Sequence, residues 1–450
     1  MEWYGGYRGW QDSRLRRENL AAASRDGDHA ALWIFDLFFM KSAPSWIWKV
    51  LGDPVSPWKF FALSPPTPPR GPLRFMCPAT KAWRDFHAWR ETTLRRLYDP
   101  DAFYFDIGPC VAPLGCEDTS HGHPKGKGRW MVQATRDMLM GGRVPPGKRR
   151  TRPRAHGTEL MSEVYLDLFD FYYARAGGGP LGMLEMEAFR KGILAGWARK
   201  VPLFTFVYHE YGPVRMDGNL KLSAELGELF YWTSGRVFIW GGIPLVDMSL
   251  SAAATPVPAC PPGGPCPPWK VHYETFSFPY QVYDDSPYGL DEGRALYLGR
   301  LGRMRTGPAR DYLVLGRMRR TPPHKENPSF VRMDYSLYNT FQRNTKYALD
   351  GRELGPEFAE RGRFTVPSVL ASAWTSPKGR LGILLLNISS GPAGTRLEID
   401  PAFYLGSPGP WKWRLAGLEG IELSGTLKGR TSLSFSLPSR DPRLLEIGAF

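Results

Sequence analysis

The residues best suited to chemistry are carboxylates. Asp106 closes the apolar core of Asp101-Ala-Phe-Tyr-Phe-Asp-Ile-Gly-Pro-Cys110. Phe103, Tyr104 and Phe105 have high strand propensity, and Gly108-Pro109 interrupts the run directly after the acid, so Asp106 is expected at the C-terminal end of a buried strand. An Asp at such a point also caps turns. In parallel α/β folds, however, that rim is where ligands bind and reactions occur. A second acid, Glu159, lies in His156-Gly-Thr-Glu-Leu-Met-Ser-Glu163, at the expected junction of the next strand with a helix. Glu163, in the first turn of that helix, has an electrostatic role of its own against the helix dipole and is the alternative to Glu159. An Asp and a Glu on neighbouring strand ends supply what glycosidic hydrolysis needs. One attacks or stabilises the anomeric carbon and the other protonates the leaving oxygen.

Other polar groups could serve such a pair. His121 and His123 lie in a Gly/Pro loop with Cys116 and Glu117 nearby. The His-x-His pattern lacks a fourth fixed ligand, so no metal is assigned and the imidazoles are expected to recognise substrate hydroxyls. Tyr208, His209 and Glu210 end the apolar run Val201-Pro-Leu-Phe-Thr-Phe-Val-Tyr208, where they either bind substrate or cap a strand. Trp240 either stacks on a sugar or fills the mouth of a barrel. The chain carries no serine-nucleophile motif, phosphate-binding loop or dinucleotide fingerprint, and no cofactor is expected.

The elements that must position these groups alternate. Ala31–Phe35 reads as a strand, and Phe75-Met-Cys-Pro78 as another. A helix follows to about Tyr98, with Trp83, Phe86, Leu94 and Leu97 on one face. After the Asp106 strand comes a helix near Arg129–Met140, then a strand over Thr151–Glu159, assigned from its place in the series because Arg-Pro-Arg-Ala-His-Gly is poor strand material. Tyr165, Leu168, Phe169 and Tyr172 mark an amphipathic helix, and residues 187–199 another. Val201–Tyr208 suits a strand buried on both faces. Leu222, Leu226, Leu229 and Phe230 stripe a further helix, and Arg236-Val-Phe-Ile-Trp-Gly-Gly242 reads as a last strand. Such alternation argues for a parallel sheet with crossover helices. Residues 286–305 read as helical. Leu370–Trp374, the Pro377-Lys-Gly379 turn and Leu381–Ile388 form a hairpin signature, and Leu433, Phe435 and Leu437 alternate, so an all-β sandwich is expected over 362–450. Domains of 1–361 and 362–450 follow.

Composition narrows the function classes. The 450 residues, 14% aromatic and 23% charged, describe a globular chain. Sixteen Trp favour a groove lined with rings, for which sugar faces are good partners. The net charge of +14 permits a polyanion partner. Arginine clusters at 148–154 and 300–320 lack any nucleic-acid-binding motif, however, and read as solvated surface, making nucleic acid an unexpected partner. Five Cys do not make a disulfide framework, although Cys260 and Cys266 flank a Pro/Gly loop able to close in an oxidising compartment. No apolar run is long enough for a membrane span and the N-terminus carries no signal pattern, so a soluble cytoplasmic product is expected.

Tyr104-Phe-Asp-Ile-Gly108, His121-Gly-His-Pro124, Thr158-Glu-Leu-Met-Ser-Glu163, Val207-Tyr-His-Glu210 and Ser372-Ala-Trp374 together resemble an uncharacterised bacterial glycoside hydrolase family, a domain of unknown function similar to the endo-α-N-acetylgalactosaminidase type. The resemblance runs from about Phe75 to the C-terminus. It implies a (β/α)8 TIM-type barrel followed by a β-sandwich, and a retaining mechanism with Asp106 as nucleophile and Glu159 as acid/base. Too few strands precede Phe75 to complete the eight of a barrel, so the barrel is expected to be incomplete at an N-terminally truncated end. Two other readings stand beside the enzyme: a non-catalytic carbohydrate-binding relative, and a polyanion-binding protein.

Overall fold

A computed structural model describes residues 2–3, 20–22, 24–25, 27, 29, 31–35, 38–40, 73–106, 115–143, 154–174, 192, 195–197, 199–220, 227–246, 292–327, 330–338, 357 and 359–449. The chain divides into two compact units, one of residues 1–173 with 258–279 and one of 174–257 with 280–450.

In the first unit, β1 (Glu2–Trp3), β2 (Ala31–Phe35), β5 (Ala102–Asp106), β6 (Ala155–Glu159) and β7 (Phe171–Ala174) form a parallel sheet in that order. Two further strands, β3 (Phe38–Met40) and β4 (Leu73–Phe75), pair antiparallel with each other. The strand expected at Phe75 therefore belongs to this hairpin rather than to the parallel sheet. Helix α1 (Lys81–Tyr98) precedes β5, and α2 (Arg129–Gly142) links β5 to β6.

The expected stripe of the first helix is real, with Trp83, Phe86 and Leu94 all buried. So is the pattern Met131, Ala134 and Met138 on α2. Helices α1 and α2 approach closely at Gly142, where a Cβ would collide with the Glu91 carboxylate.

Strand β6 forms despite its poor composition because its side chains find partners across the sheet. His156 stacks against Phe103 and Phe105 and meets Glu91 of α1, with His156 Nε2 2.8 Å from Glu91 Oε1. Arg95 pairs with the same Glu91 carboxylate. The His156 amide donates to Asp170 at 2.8 Å.

The helix expected over Tyr165–Tyr172 is absent. Glu163–Tyr165 is a single 3-10 turn and Phe171–Ala174 is β7. All four stripe residues are nevertheless buried. A turn followed by a strand buries the same positions, and Leu160, at φ +62°, bends the chain so that its N–H donates to Tyr173 O at 2.8 Å.

The second unit opens with α3 (Leu203–Tyr208) and a 3-10 turn over His209–Tyr211. The strand expected over Val201–Tyr208 is thus a short helix, and Val201, Leu203, Phe206 and Val207 are exposed rather than buried on two faces. Strands β8 (Val214–Leu220) and β9 (Ile243–Val246) are parallel, and α4 (Leu229–Ile239) lies between them in sequence. The strand expected at Arg236–Gly242 is the end of α4. All residues of this helix except Arg236 are buried. An element buried on nearly every side has little helical period to betray it. The expected helices at Leu222 and over 187–199 fall largely outside the described residues.

Helices α5 (Glu292–Thr306) and α6 (Arg310–Leu313) follow. The remaining strands are β10 (Arg317–Arg319), β11 (His324–Glu326), β12 (Phe330–Tyr338), β13 (Ala359–Pro367), β14 (Val369–Thr375), β15 (Leu381–Asn387) and β16 (Ala393–Ile399). After the short helix α7 (Pro401–Leu405) come β17 (Trp411–Ala416), β18 (Ile421–Leu427), β19 (Thr431–Leu437) and β20 (Pro442–Gly448).

One antiparallel sheet has the order β10-β14-β15-β20-β17-β18, and a second has β11-β16-β19. Ile383, Leu385, Leu397, Trp411, Phe435 and Leu445 from both sheets share one core, as in a sandwich. Strands β12 and β13 make a separate hairpin. The fold is therefore α/β with C-terminal antiparallel sheets.

Helix α4 packs on the sandwich through Gly235, where a Cβ would lie 2.9 Å from Leu386 and 3.1 Å from Ile388 and Leu370. Among the described residues no helix is long and apolar enough to cross a membrane.

Candidate active site

The two carboxylates predicted from sequence are the last residues of adjacent parallel strands. Strands β5 and β6 pair in register from Ala102 with Ala155 to Phe105 with Thr158, so the next residues out are Asp106 and Glu159. Neighbouring strands lie about 4.8 Å apart. The sheet face is fixed by alternation. Phe103, Phe105 and His156 share the face toward α1, where His87 stacks on Phe105. Tyr104 lies on the other, against Phe171 and Tyr173. Glu159 has the parity of this second face, pairs in register with Tyr173 and is buried. Gly157 is needed here because a Cβ would lie 2.0 Å from the Phe171 ring. Glu163, the alternative acid, is exposed at the start of its 3-10 turn.

His121 and His123 do not stand alone in their loop. The loop is closed by a pair of backbone hydrogen bonds between Cys116 and Gly126, at 3.1 and 2.9 Å. Gly122, at φ +77°, turns the chain between the two imidazoles. Cys116 Sγ lies 3.3 Å from His121 Nδ1, and Cys77 Sγ lies 3.3 Å from His123 Nε2. The four donor atoms all lie within 4.8 Å of one another. The residue absent from the expected group of His121, His123 and Cys116 is thus Cys77. Cys77 precedes α1 and was missed because it is distant in the chain; the sequence signal was a Cys-Pro at a helix start together with Cys-x4-His-x-His. Burial pushes the Cys77 thiol up to about 12.

The remaining predicted residues lie in the second unit, on α3, its 3-10 turn and the end of α4, not at strand ends. Tyr208 packs against Phe204 and Tyr211. His209 is buried edge-on against Trp374 and donates from Nε2 to Leu313 O at 3.0 Å. Burial, and after it the Arg305 charge, pushes its pKa down to about 4. Glu210 is ion-paired with Arg317. Trp240 is buried with the Arg236 guanidinium 4.3 Å from its ring centre. Arg305 corrects the reading of the 300–320 arginines as solvated surface. It is buried and donates to Gly241 O at 2.7 Å. Cys260 and Cys266 lie outside the described residues.

A family described as a domain of unknown function (DUF6259) matches residues 69–216, a stretch holding both carboxylates and the Cys/His group. No curated protein matches the sequence. Among solved structures, the chain is similar to a noncanonic maltogenic α-amylase, AmyB, from Thermotoga neapolitana. The TM-score is 0.50 and the identity 11%, over 97% of this chain and 81% of that one. An α-amylase from Geobacillus thermoleovorans complexed with acarbose gives a TM-score of 0.43 at 10% identity, over 96% and 80% of the two chains. A GH27 β-L-arabinopyranosidase from Geobacillus stearothermophilus gives 0.43 at 9%, over 96% and 78%. At such identities the likeness is one of fold, and it rests on the first. The chain shares an α/β fold with the Thermotoga neapolitana amylase and has two acids at adjacent strand ends.

Proposed function

We propose that the protein is a retaining glycoside hydrolase of O-glycosidic bonds, with a catalytic barrel domain in 1–361 and a sandwich domain in 362–450. In this reading Asp106 attacks the anomeric carbon while Glu159 donates a proton to the leaving oxygen. Glu159 then takes a proton from the water that releases the sugar.

The observation that supports it is the register of β5 with β6, which sets the backbones of two acids side by side at the C-terminal rim. Retention needs carboxyl groups about 5–5.5 Å apart, and inversion about 6.5–9.5 Å with room for a water. Adjacent parallel strands, about 4.8 Å apart, favour the shorter separation. The burial of Glu159, in register with Tyr173, favours it over exposed Glu163. A narrower kinship with endo-α-N-acetylgalactosaminidases belongs to the same proposal.

A panel of aryl glycosides, α-N-acetylgalactosaminides included, tests the reading. Asp106→Asn should abolish turnover of every substrate cleaved. Glu159→Gln should lose about 10²–10⁴-fold on poor leaving groups but little on activated ones, with azide accelerating release of the sugar. Failure of the pure folded protein to cleave any member would sink the proposal and leave a non-catalytic binding relative. The same leaving-group dependence in Glu163→Gln instead would transfer the acid/base role.

A further inference from the structure

Apart from the carboxylate pair, the first unit gathers four side chains whose chemistry the glycosidase reading does not use. We propose that Cys77, Cys116, His121 and His123 bind one zinc ion in a closed two-cysteine, two-histidine site. It would serve structure rather than catalysis and would fix the loop that follows the Asp106 strand.

The distances fit an ion at the centre. With Zn–S about 2.3 Å and Zn–N about 2.0–2.1 Å at tetrahedral angles, bound sulfur and nitrogen lie about 3.6 Å apart. The two Cys–His pairs stand at 3.3 Å, and no donor atom is further than 4.8 Å from another. Cys77, Cys116 and His123 are buried, and the His121 side chain is only 4% exposed. The group is thus an enclosed cluster and not a surface coincidence.

The outer contacts set both imidazoles for metal. His123 Nδ1 lies 2.8 Å from Pro124 O, which can only accept, so the proton of the neutral ring sits on Nδ1 and the Nε2 lone pair faces Cys77. His121 Nε2 lies 3.4 Å from the Asp118 carboxylate, and its Nδ1 faces Cys116. Ser120, donating through both its N–H and its hydroxyl, fixes the Asp118 carboxylate in that position. A carboxylate or carbonyl on the distal imidazole nitrogen is the arrangement that orients histidines on metal ions. The His123 ring is further fixed by stacking on Trp130 at 3.6 Å with the planes 3° apart.

The donor set selects the ion. Two thiolates and two imidazoles suit zinc and offer no oxygen to calcium or magnesium. Four protein ligands leave no open position for a substrate or activated water, which assigns the ion to structure. On binding, two Zn–S and two Zn–N bonds replace bonds to water, and the Cys77 and Cys116 thiols release their protons to solvent. The ion would join the segment before α1 to the loop 116–123.

The test uses the full chain purified without chelator and under reductant. Metal analysis should find about one zinc per chain. Lys125→Ala, an exposed change inside the same loop, should keep it, whereas Cys116→Ser and His123→Ala should each lose most of it. Because a ligand variant could also lose metal by unfolding, His121→Cys supplies a second measure. It should retain zinc, and after cobalt exchange its thiolate charge-transfer absorption should be about 1.5 times that of the parent, three thiolates in place of two. Tetrahedral cobalt absorption in the parent chain supports the site. Zinc well below stoichiometry after zinc and reductant are supplied would overturn it. So would a Cys77–Cys116 disulfide seen by peptide mass, or cobalt bound without thiolate charge transfer. None of these readouts depends on glycosidase activity.

Discussion

His209 gives the sharpest test of how the second unit is held together. Its pKa is pushed from the ordinary 6.5 down to about 4, first by burial and then by the Arg305 guanidinium. The folded chain thus keeps the ring neutral, donating to Leu313 O, where the unfolded chain would protonate it. Between these two values the unfolded state binds more protons, so stability is complete above about pH 6.5 and falls as the pH drops toward 4. A difference of about 2.5 units at 1.36 kcal/mol each sets the loss from this residue at about 3 kcal/mol, to order of magnitude. His209→Gln keeps a neutral donor for the Leu313 carbonyl and removes the titration. Urea unfolding of both proteins from pH 8 to pH 4 should show the parent losing stability relative to the variant, mostly between pH 6 and 4.5. Comparing the two cancels every other titrating group. A difference that does not change with pH, or an NMR titration of the His209 ring near pH 6.5, would refute the argument.

Two further substitutions probe packing. Gly157→Ala places a methyl carbon 2.0 Å from the Phe171 ring; it should cost about 1–3 kcal/mol in urea unfolding, and Phe171→Leu should recover part of that loss. Independent, additive effects would show that the ring does not bear on Gly157. Tyr312→Phe removes the hydroxyl that donates to Glu446 Oε1 at 2.8 Å, leaving a buried carboxylate oxygen with one donor fewer. The expected loss is about 1–3 kcal/mol, and an unchanged urea midpoint would contradict it.

The parts of the fold legible in the sequence are those whose local pattern matches their burial. Strand β5 announces itself by three aromatic residues and a Gly-Pro stop, and β14 and β15 by a turn between two apolar runs. The rim position of Asp106 and Glu159 follows from the same strand ends. Strand β6 was legible only from its place in the alternation, because what holds it lies far off in sequence: Glu91, Phe103, Phe105 and Asp170. Helix α4 escaped because burial on all sides removes the helical period. Val201–Tyr208 failed for the opposite reason, being apolar yet exposed along much of its length. The Cys/His group is partly legible, since one loop carries three of its residues and the fourth arrives from just before α1.

Helix α4 also bears on synthesis. It leaves the ribosome well before the strands that cover it, for Gly235 packs on Leu370, Leu386 and Ile388. Ile388 is made roughly 150 residues after Gly235, which at roughly 5–20 residues per second is about 8–30 s. An isolated helix of 11 residues is marginal in water, so its side chains stay uncovered until the sandwich arrives. For that interval a largely apolar segment, with Leu229, Phe230, Trp232, Val237, Phe238 and Ile239 all buried in the folded chain, waits without the sandwich. The order in which this chain is made therefore exposes more apolar surface to aggregation than its final packing would lead one to expect.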